Sequence, residues 1–518
     1  MYGALDGLGF NADSLRRNHF CIGVKRGNEY QCGGDANENA INNTVDLLIE
    51  TVNRIQRWRV WGSWWVEEVM DEWLEKRDRL EQRLRGKYGD EIIKATLRLI
   101  NEFINYNERF MNYWHEVSSE VKELIEDLMS GNTKVIIWGN EEGVSVYGEY
   151  ITLNAHKTNT GSITVHLELN GLKGITIKVP DVFRRTMSRE EYGKFINEVL
   201  MALRGGLEET DGFIDRGKAA MGTTQVWQAI VWSLLYPGEV HVHADAINVN
   251  EGGMTIRWGL RANRYKPIKG KILSNAEELS KEELLAFTFT AVLGDGDAGV
   301  WKVANNGRVY DEAVITITMS SERLDTWKPL LERLRELGFN CGNPIPISDG
   351  VVNVRFYGSN AISLARAMIN VLPPILRDVL DALSFEKWLR INQVANMELK
   401  WRRGESQVIV AGYGFTVHVQ KGTVRLMHRA RDEIETEMVI EALRVAYGDG
   451  FTVNVNKSSR RRGVVIPMYV FEKYEDIKEQ VIEVLCRKLK KTKDERKKQI
   501  IAKHLRRLAL TEEATTAC

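Results

Sequence analysis

The chain has 518 residues, of which 43% are hydrophobic and 27% are charged, as in an ordinary globular protein. Its 71 Lys and Arg residues balance 71 Asp and Glu residues, and the zero net charge argues against a wholly basic nucleic-acid coat protein. This length exceeds what one hydrophobic core holds, so several domains are expected.

The cysteines are few and scattered, at Cys21, Cys32, Cys341, Cys486 and Cys518. No CxxC pair occurs, so the sequence predicts neither a zinc ribbon nor a disulfide framework, and we expect a reducing, cytoplasmic location. No uncharged run approaches the roughly 18 apolar residues of a membrane helix, so no membrane partner is expected.

The front of the chain divides by pattern. Residues 1–38 are rich in Gly and Asn and predict an irregular segment, and residues 39–130 predict a helical hairpin. In its first helix Trp58, Trp61 and Trp65 share one face. A tryptophan stripe at this spacing is typical of a core, although contact with nucleic-acid bases is an open alternative.

Three further segments complete an α+β fold. Residues 131–270 predict an α+β domain rich in antiparallel strands, with helices near 189–205 and 222–235. Residues 276–396 follow the order α, β, β, α, β, β, α. Residues 400–518 predict a related ββαββα domain with a basic helical tail.

The apolar helix predicted at 281–294 ends on an acidic residue. Ser280 and Glu283 form a capping-box pattern that starts it. Ala286, Thr290 and Gly294 are spaced by four, so small residues line one face and favour close pairing with another helix. Asp295 then follows at the foot of that face. An ordinary helix stop is the alternative interpretation.

The segment TFTAVLGDG, residues 288–296, resembles the LAGLIDADG motif of homing endonucleases. The acidic position of the motif falls on Asp295 and its closing glycine on Gly296. The αββαββα order of residues 276–396 is similar to the core of that family, and LPPIL at 372–376 resembles the proline stop that follows it.

The resemblance implies double-stranded DNA as partner and Mg²⁺-dependent cleavage, with Asp295 as catalytic residue and metal ligand. It also implies a β-saddle that reads the major groove. On the strands of that saddle, candidate contacts are Arg308, Thr316, Thr318, Asn353 and Arg355. Lys302 or Arg355 is the candidate that would steady the developing charge in catalysis.

A second carboxylate is needed beside Asp295. The sequence EMVIEALRVAYGDGF offers Asp449 as a second catalytic residue and metal ligand. In that helix, however, Arg444 stands where Thr290 stands in the first. The alternative is a plain helix-to-strand turn at 448–450, and the active arrangement would then need a homodimer through the 281–294 helix.

Basic residues near the end of the chain suggest phosphate contacts. They are Arg460, Arg461, Arg462, Lys490, Lys491, Lys497 and Lys498. The alternative is a solvated helix face.

The length, the long front half and the basic tail also resemble a paralogous repeat (PaREP-type) family of hyperthermophilic archaea, whose members carry LAGLIDADG-like cores. That resemblance implies a protein of a mobile or repeated genetic element.

Two other functions stay open at this point. One is a catalytically inactive relative that binds nucleic acid or protein. The other is a metal-dependent hydrolase that uses His241, His243 and Asp245, which alternate along one predicted strand face.

Overall fold

The computed structural model describes residues 12–26, 29–139, 142–158, 161–305, 308–348, 350–397, 406–430, 433–456 and 462–509. It confirms a mixed α+β fold with several sheets. The chain forms two compact units: one comprises 1–331, 341–357 and 361–395, and the other comprises 332–340, 358–360 and 396–518. No described helix has the length and apolar character to cross a bilayer.

The helices are, in chain order, α1 (Ala12–Leu15), α2 (Glu38–Trp58), α3 (Trp64–Leu84), α4 (Asp90–Ser130), α5 (Val182–Thr186), α6 (Arg189–Asn197), α7 (Val199–Thr210), α8 (Val226–Leu235), α9 (Lys271–Ser274), α10 (Lys281–Gly294), α11 (Leu324–Glu336), α12 (Gly358–Asn370), α13 (Pro374–Leu383), α14 (Glu386–Asn396), α15 (Glu433–Tyr447), α16 (Met468–Phe471), α17 (Glu475–Lys491) and α18 (Glu495–Ala509).

The strands are β1 (His19–Arg26), β2 (Glu29–Asp35), β3 (Lys134–Trp138), β4 (Gly143–Tyr147), β5 (Ile151–Lys157), β6 (Ile163–Leu169), β7 (Ile175–Val179), β8 (Gly212–Asp215), β9 (Lys218–Thr223), β10 (Gly238–Asn250), β11 (Gly253–Ala262), β12 (Asp297–Asn305), β13 (Arg308–Ser320), β14 (Ile345–Ser348), β15 (Val351–Tyr357), β16 (Gln407–Val410), β17 (Tyr413–Val419), β18 (Val424–Arg429), β19 (Asn454–Asn456) and β20 (Gly463–Pro467).

The first unit contains two four-stranded arrangements of the same order. One is β8-β9-β11-β10, in which α8 connects β9 to β10, and the other is β12-β13-β15-β14, in which α11 connects β13 to β14. All their pairings are antiparallel. Because α7 precedes the first and α10 the second, the unit holds two copies of an αββαββ motif.

The first copy is part of a larger sheet. Beyond β10 the sheet continues through β6, β5, β4, β3, β1 and β2, and β7 also pairs with β10. Residues 19–26 and 29–35, predicted to be irregular, therefore form two paired strands, and the Cys21–Cys32 disulfide joins them. The prediction that the chain lacks disulfides is wrong, and the argument for a reducing compartment loses its basis.

The front helices differ from the predicted hairpin at one point. The first predicted helix is two helices, because Arg59 adopts the left-handed conformation (φ 45°) and ends α2. Trp65 is buried at 2% exposure, whereas Trp58 and Trp61 are half-buried, so only part of the tryptophan stripe belongs to the core. Trp73 and Tyr106 meet Trp258 of β11 at ring distances of 6.1 and 6.0 Å, which places these helices against the large sheet.

The second unit has its own five-stranded sheet in the order β16-β17-β18-β20-β19. Its core combines strand residues such as Phe415 and Leu426 with helix residues such as Leu443, Val481 and Leu505. The predicted domain boundaries of the chain stay predictions, and the first four predicted segments contribute residues to the first unit.

Candidate active site

Helix α10 is built as its sequence predicts. The Ser280 backbone N–H donates to Glu283 Oε2 at 2.8 Å, and the Glu283 backbone N–H donates to Ser280 Oγ at 3.2 Å, which completes the capping box. Residues 284–293 are all buried. A helix without an exposed side must be covered along its whole length, so its small-residue stripe has a partner.

That partner is α7, from the same chain. A Cβ atom built at Gly206 would lie 2.1 Å from Thr290 Oγ1 and 2.3 Å from the Phe287 carbonyl oxygen. A Cβ atom built at Gly294 would lie 2.0 Å from Thr210 Oγ1. Only glycine permits such close approach of two helix backbones. The predicted homodimer through the 281–294 helix is therefore wrong, because α7 already covers that face.

The two helices deliver one carboxylate each to the same place. Asp211 directly follows α7 and Asp295 directly follows α10. The Cβ position at residue 294 lies 2.6 Å from Asp211 Oδ2. Burial, and then the charge of Asp295, raise the pKa of Asp211, and burial raises the pKa of Asp295. The carboxylates are thus neighbouring, partly desolvated anions.

The segment RGGLEETDG, residues 204–212, is the signal that sequence analysis missed. It matches the spacing of the first motif, with Gly206, Asp211 and Gly212 where TFTAVLGDG has Thr290, Asp295 and Gly296. The neighbouring Gly205 and Gly206 predict a helix end near 205. The helix instead continues to Thr210, because the packing of α7 on α10 outweighs the low helix propensity of glycine.

A glutamine orients one of the carboxylates. Gln228 Nε2, on α8, donates to Asp211 Oδ2 at 2.7 Å. Thr223 Oγ1 donates in turn to Gln228 Oε1 at 2.5 Å, which fixes the amide with its N–H groups toward Asp211. This chain of hydrogen bonds holds the carboxylate in one position.

Two lysines flank the carboxylates. Lys387 Nζ, on α14, donates to the carbonyl oxygens of Leu293, at 2.9 Å, and of Gly294. Burial lowers the pKa of Lys387, whereas the charges of Asp211, Asp295 and Asp297 act to raise it. Lys269 Nζ donates to the Gly212 carbonyl oxygen at 2.6 Å, and its charge opposes the rise that burial causes in the pKa of Asp295.

The donor set suits a hard divalent cation. Carboxylate and carbonyl oxygens are the ligands that Mg²⁺ prefers, and Mg²⁺ is commonly held by one or two carboxylates plus substrate phosphates. Within the part of the chain that the structure describes, no group of three or more His, Cys, Asp or Glu side chains is placed to hold a metal ion. A metal at Asp211 and Asp295 would thus complete its coordination with phosphate oxygens and water.

Asp449 lies elsewhere, in the second unit. Its side chain is 90% exposed and lies 3.1 Å from Arg444 Nε, in the turn after α15. This geometry fits the helix-to-strand turn that the sequence left as an alternative. The position beside Asp295 that Asp449 was predicted to fill is occupied by Asp211.

The predicted saddle residues divide between two faces of the second sheet. Thr316 pairs with Arg355 and Thr318 with Asn353, so these four side chains share one face. Lys302 pairs with Asp311 on the opposite face, where its Nζ lies 2.7 Å from Asp311 Oδ1. The predicted placement of Lys302 near Asp295 is therefore wrong, and Lys387 lies there instead.

Accessibility varies within the shared face. Arg355 lies over the Trp301 ring, with its guanidinium carbon 5.0 Å from the ring centroid. Thr318 Oγ1 donates to Asn353 Oδ1 at 2.8 Å. Thr316 is only 3% exposed, so its predicted base contact lacks the surface it would need. Arg308 begins β13 opposite Asn305.

The predicted metal site on β10 is not formed. His243 Nε2 lies 3.6 Å from Asp245 Oδ1, and Asp245 also pairs with Arg257 Nε at 3.4 Å. A bulge between Ala244 and Ala246 breaks the regular alternation at Asp245. Hydrogen bonding to His243 lowers the pKa of Asp245, so His241, His243 and Asp245 form part of an ion-paired sheet face rather than a ligand set.

The basic residues of the second unit are placed as follows. Lys490 and Lys491 end α17, Lys497 is exposed on α18, and Lys498 pairs with Glu495 at 2.6 Å. Arg462 is half-buried before β20. Arg460 and Arg461 lie outside the described residues.

Comparison with known proteins gives structural neighbours alone. No family model matches the chain, and no curated protein matches its sequence. The chain is similar to a mutant of I-SmaMI (12% identity, 44% of this chain, 98% of that chain, TM-score 0.13). It is also similar to the LAGLIDADG meganuclease I-CpaMI bound to uncleaved DNA (9%, 45%, 94%, 0.13).

A third neighbour is the LAGLIDADG homing endonuclease I-GzeII in complex with its DNA target (13%, 43%, 96%, 0.13). These identities and TM-scores carry no argument about function by themselves. The resemblance to the paralogous archaeal family stays a prediction.

Proposed function

We propose that the chain is a double-stranded DNA-binding protein of the LAGLIDADG homing-endonuclease type that cleaves DNA with Mg²⁺ held by Asp211 and Asp295. The observation that carries this proposal is the seam between α7 and α10, where glycines at 206 and 294 let two helices bring two partly desolvated carboxylates together. An ordinary helix stop explains one such carboxylate but not a matched pair.

Each residue of the site has a role in this proposal. Asp211 and Asp295 bind the metal, which when bound activates water and stabilises the leaving oxygen of the phosphodiester. Gln228 keeps the Asp211 carboxylate oriented through its 2.7 Å hydrogen bond. Lys387, held by two backbone carbonyls at the end of α10, supplies positive charge beside the scissile phosphate.

Substrate binding falls to the sheet face that carries Thr318, Asn353 and Arg355. Side chains on alternate strand positions present hydrogen-bonding groups to base edges, so these residues would contribute direct readout. Such a protein belongs to a mobile or repeated genetic element, as the family resemblance implies.

A second candidate function is DNA binding without cleavage. The observation that favours it is the cation set around the carboxylates: Lys387, Arg323 and Lys269 already act on the charge of Asp295. A metal ion stabilises a pair of carboxylates less when side-chain cations already neutralise their charge.

The experiment that decides between these uses linear duplexes with a randomised centre. The full-length protein is incubated with them and Mg²⁺, and cut ends are sequenced. Wild-type protein should yield a recurrent cut sequence, while Asp211→Asn and Asp295→Asn should bind the duplexes and yield none. Asp449→Asn is the matched control and should cut as the wild type does.

Binding by the wild type without any cut ends would sink the cleavage proposal and leave the binding function. Failure to bind duplex DNA even at low salt would remove both.

A further inference from the structure

The second unit repeats the strand order of the two copies in the first unit. Its strands β17, β18, β20 and β19 lie side by side in that order, all antiparallel, and α15 connects β18 to β19. This is the arrangement of β8-β9-β11-β10 and β12-β13-β15-β14. The chain therefore contains a third ββαββ sheet.

The third sheet lacks the helix that delivers the carboxylate in the other two. Helices α7 and α10 lead directly into β8 and β12. In the second unit strand β16 takes this place, and Ala411 and Gly412 alone separate it from β17. The third copy thus has the same sheet, but no helix leads into β17 to position a carboxylate there.

One face of this sheet is packed by helices, and the other, here called the open face, carries side chains that are mostly half-exposed. Phe415, Val417 and Leu426 point into the core with residues of α15 to α18. The alternate residues point away from it: Thr416 pairs with Met427, and His418 pairs with Arg425. Arg429 continues the same face at the exposed end of β18.

The open face is cationic, and the described strands contribute no opposing charge to it. Strands β16 to β20 contain no Asp or Glu: their sequences are QVIV, YGFTVHV, VRLMHR, NVN and GVVIP. Among the described residues, neither Arg425 nor Arg429 forms an ion pair. In the first unit, by contrast, Arg261 pairs with Asp215 at 2.7 Å and Lys302 with Asp311.

Like charges are gathered here without compensation. Burial lowers the pKa of His418, and the positive charges of Lys488, Arg425 and Arg429 lower it further. A fold gains no stability from such a grouping, because like charges repel one another. An anionic partner accounts for it.

We propose that the open face of the β16–β20 sheet is a second DNA-binding surface, which binds the phosphate backbone of duplex DNA through Arg425 and Arg429 and takes no part in cleavage. The choice of DNA as the polyanion rests on the proposed function of the first unit. Charge complementarity fits a phosphate backbone, because two unpaired guanidinium groups lie on one sheet face.

The test is the double variant Arg425→Ala/Arg429→Ala in the full-length chain, with binding to a random-sequence duplex measured across a salt series. Each lost phosphate contact should reduce the slope of log K against log salt by about 1, so we expect a fall of about 1 to 2. Lys473→Ala, an exposed lysine on the helix side of the same unit, is the matched control and should leave the slope unchanged.

The outcomes separate this inference from the proposed function. An unchanged slope in a double variant that melts as the wild type does would overturn the second surface and leave the proposed function standing. A reduced slope in a protein that never cuts DNA would support the surface and sink the proposed cleavage alone. Absence of any duplex binding by the wild type would overturn both.

Discussion

Gly206 of α7 and Thr290 of α10 meet so closely that a Cβ atom at position 206 would lie 2.1 Å from the Thr290 hydroxyl oxygen. Real side chains do not approach at that distance, so one helix would have to move. The positions of Asp211 and Asp295 depend on this contact, because each follows the last turn of its helix.

The first prediction concerns that contact. Gly206→Ala should lower the free energy of unfolding by about 1–3 kcal/mol through overpacking, although alanine favours a helix by about 1 kcal/mol. Denaturant midpoints measure the change. Gly193→Ala is the control: this residue lies in α6 with no atom within 4 Å of its Cβ position, so the change should be neutral or stabilising. Equal effects of the two substitutions would contradict a tight seam.

The second prediction concerns Mg²⁺. If Asp211 and Asp295 hold the ion, Mg²⁺ should raise the melting temperature of the wild type, because a ligand that binds the folded state at 100 times its Kd adds about 2.7 kcal/mol. Asp211→Asn/Asp295→Asn should lose this shift, while Asp449→Asn should retain it. A melting shift of the same size in the double variant would place the binding of Mg²⁺ elsewhere.

The third prediction concerns pH. Burial, and then the charges of His156 and Arg257, lower the pKa of His166 to about 4. The folded state therefore resists protonation of this ring, whereas the unfolded chain takes up a proton below about pH 6.5. The stabilisation of the folded state by the neutral ring is thus complete above pH 6.5 and is lost as pH falls toward 4. Between these values the wild type should lose up to about 3 kcal/mol more than His166→Gln. His115→Gln, a change at an exposed histidine, is the control and should follow the wild type. A stability profile of His166→Gln identical to that of the wild type would refute the prediction.

The fourth prediction concerns Asp378, which ties α13 to the end of α3. Arg83 Nε and Tyr88 Oη donate to it, each at 2.9 Å, and Lys87 pairs with it. Its side chain is 12% exposed, so Asp378→Ala should cost roughly 1–3 kcal/mol by leaving these donors without an acceptor. The exposed Asp449→Ala should change stability by no more than about 0.5 kcal/mol.

The contribution of Asp378 also has a defined pH range. Burial acts to raise its pKa, but hydrogen bonds from Lys87, Tyr88 and Arg83 outweigh that effect and the pKa is lowered. Its stabilisation is therefore present above the unfolded value of about 3.9 and is lost as pH falls through the lower folded value. Urea titrations at successive pH values would show the gap between wild type and Asp378→Ala closing in acid; a constant gap would speak against it.

Sequence patterns predicted elements whose signals are local. The capping box at Ser280 and Glu283 and the stripe of Ala286, Thr290 and Gly294 identified α10 and its need for a partner helix. The second carboxylate was not predictable in the same way. Gly205 and Gly206 lower local helix propensity, and only the contact with α10, more than 80 residues away in the chain by the numbering, keeps them helical.

The faces of the strands show a similar limit. The sequence offered Lys302 or Arg355 as the candidate catalytic cation, and strand register puts these two residues on opposite faces. A shift of one residue exchanges the two faces of a strand, and no local pattern fixes it in β12, where charged and apolar residues mix. One cation that does reach both Asp211 and Asp295, Lys387, comes from a helix outside the core pattern.

Under the proposed function, the seam within one chain has a consequence for the DNA sequence that the protein would recognise. A homodimer must present identical surfaces related by a two-fold axis, and the DNA it recognises best shares that symmetry. Here α7 and α10 differ in sequence, and the sheet that follows α7 is extended by further strands while the sheet that follows α10 ends at β14. If the proposed function holds, each half of the target could therefore change independently, and a palindrome would not be required.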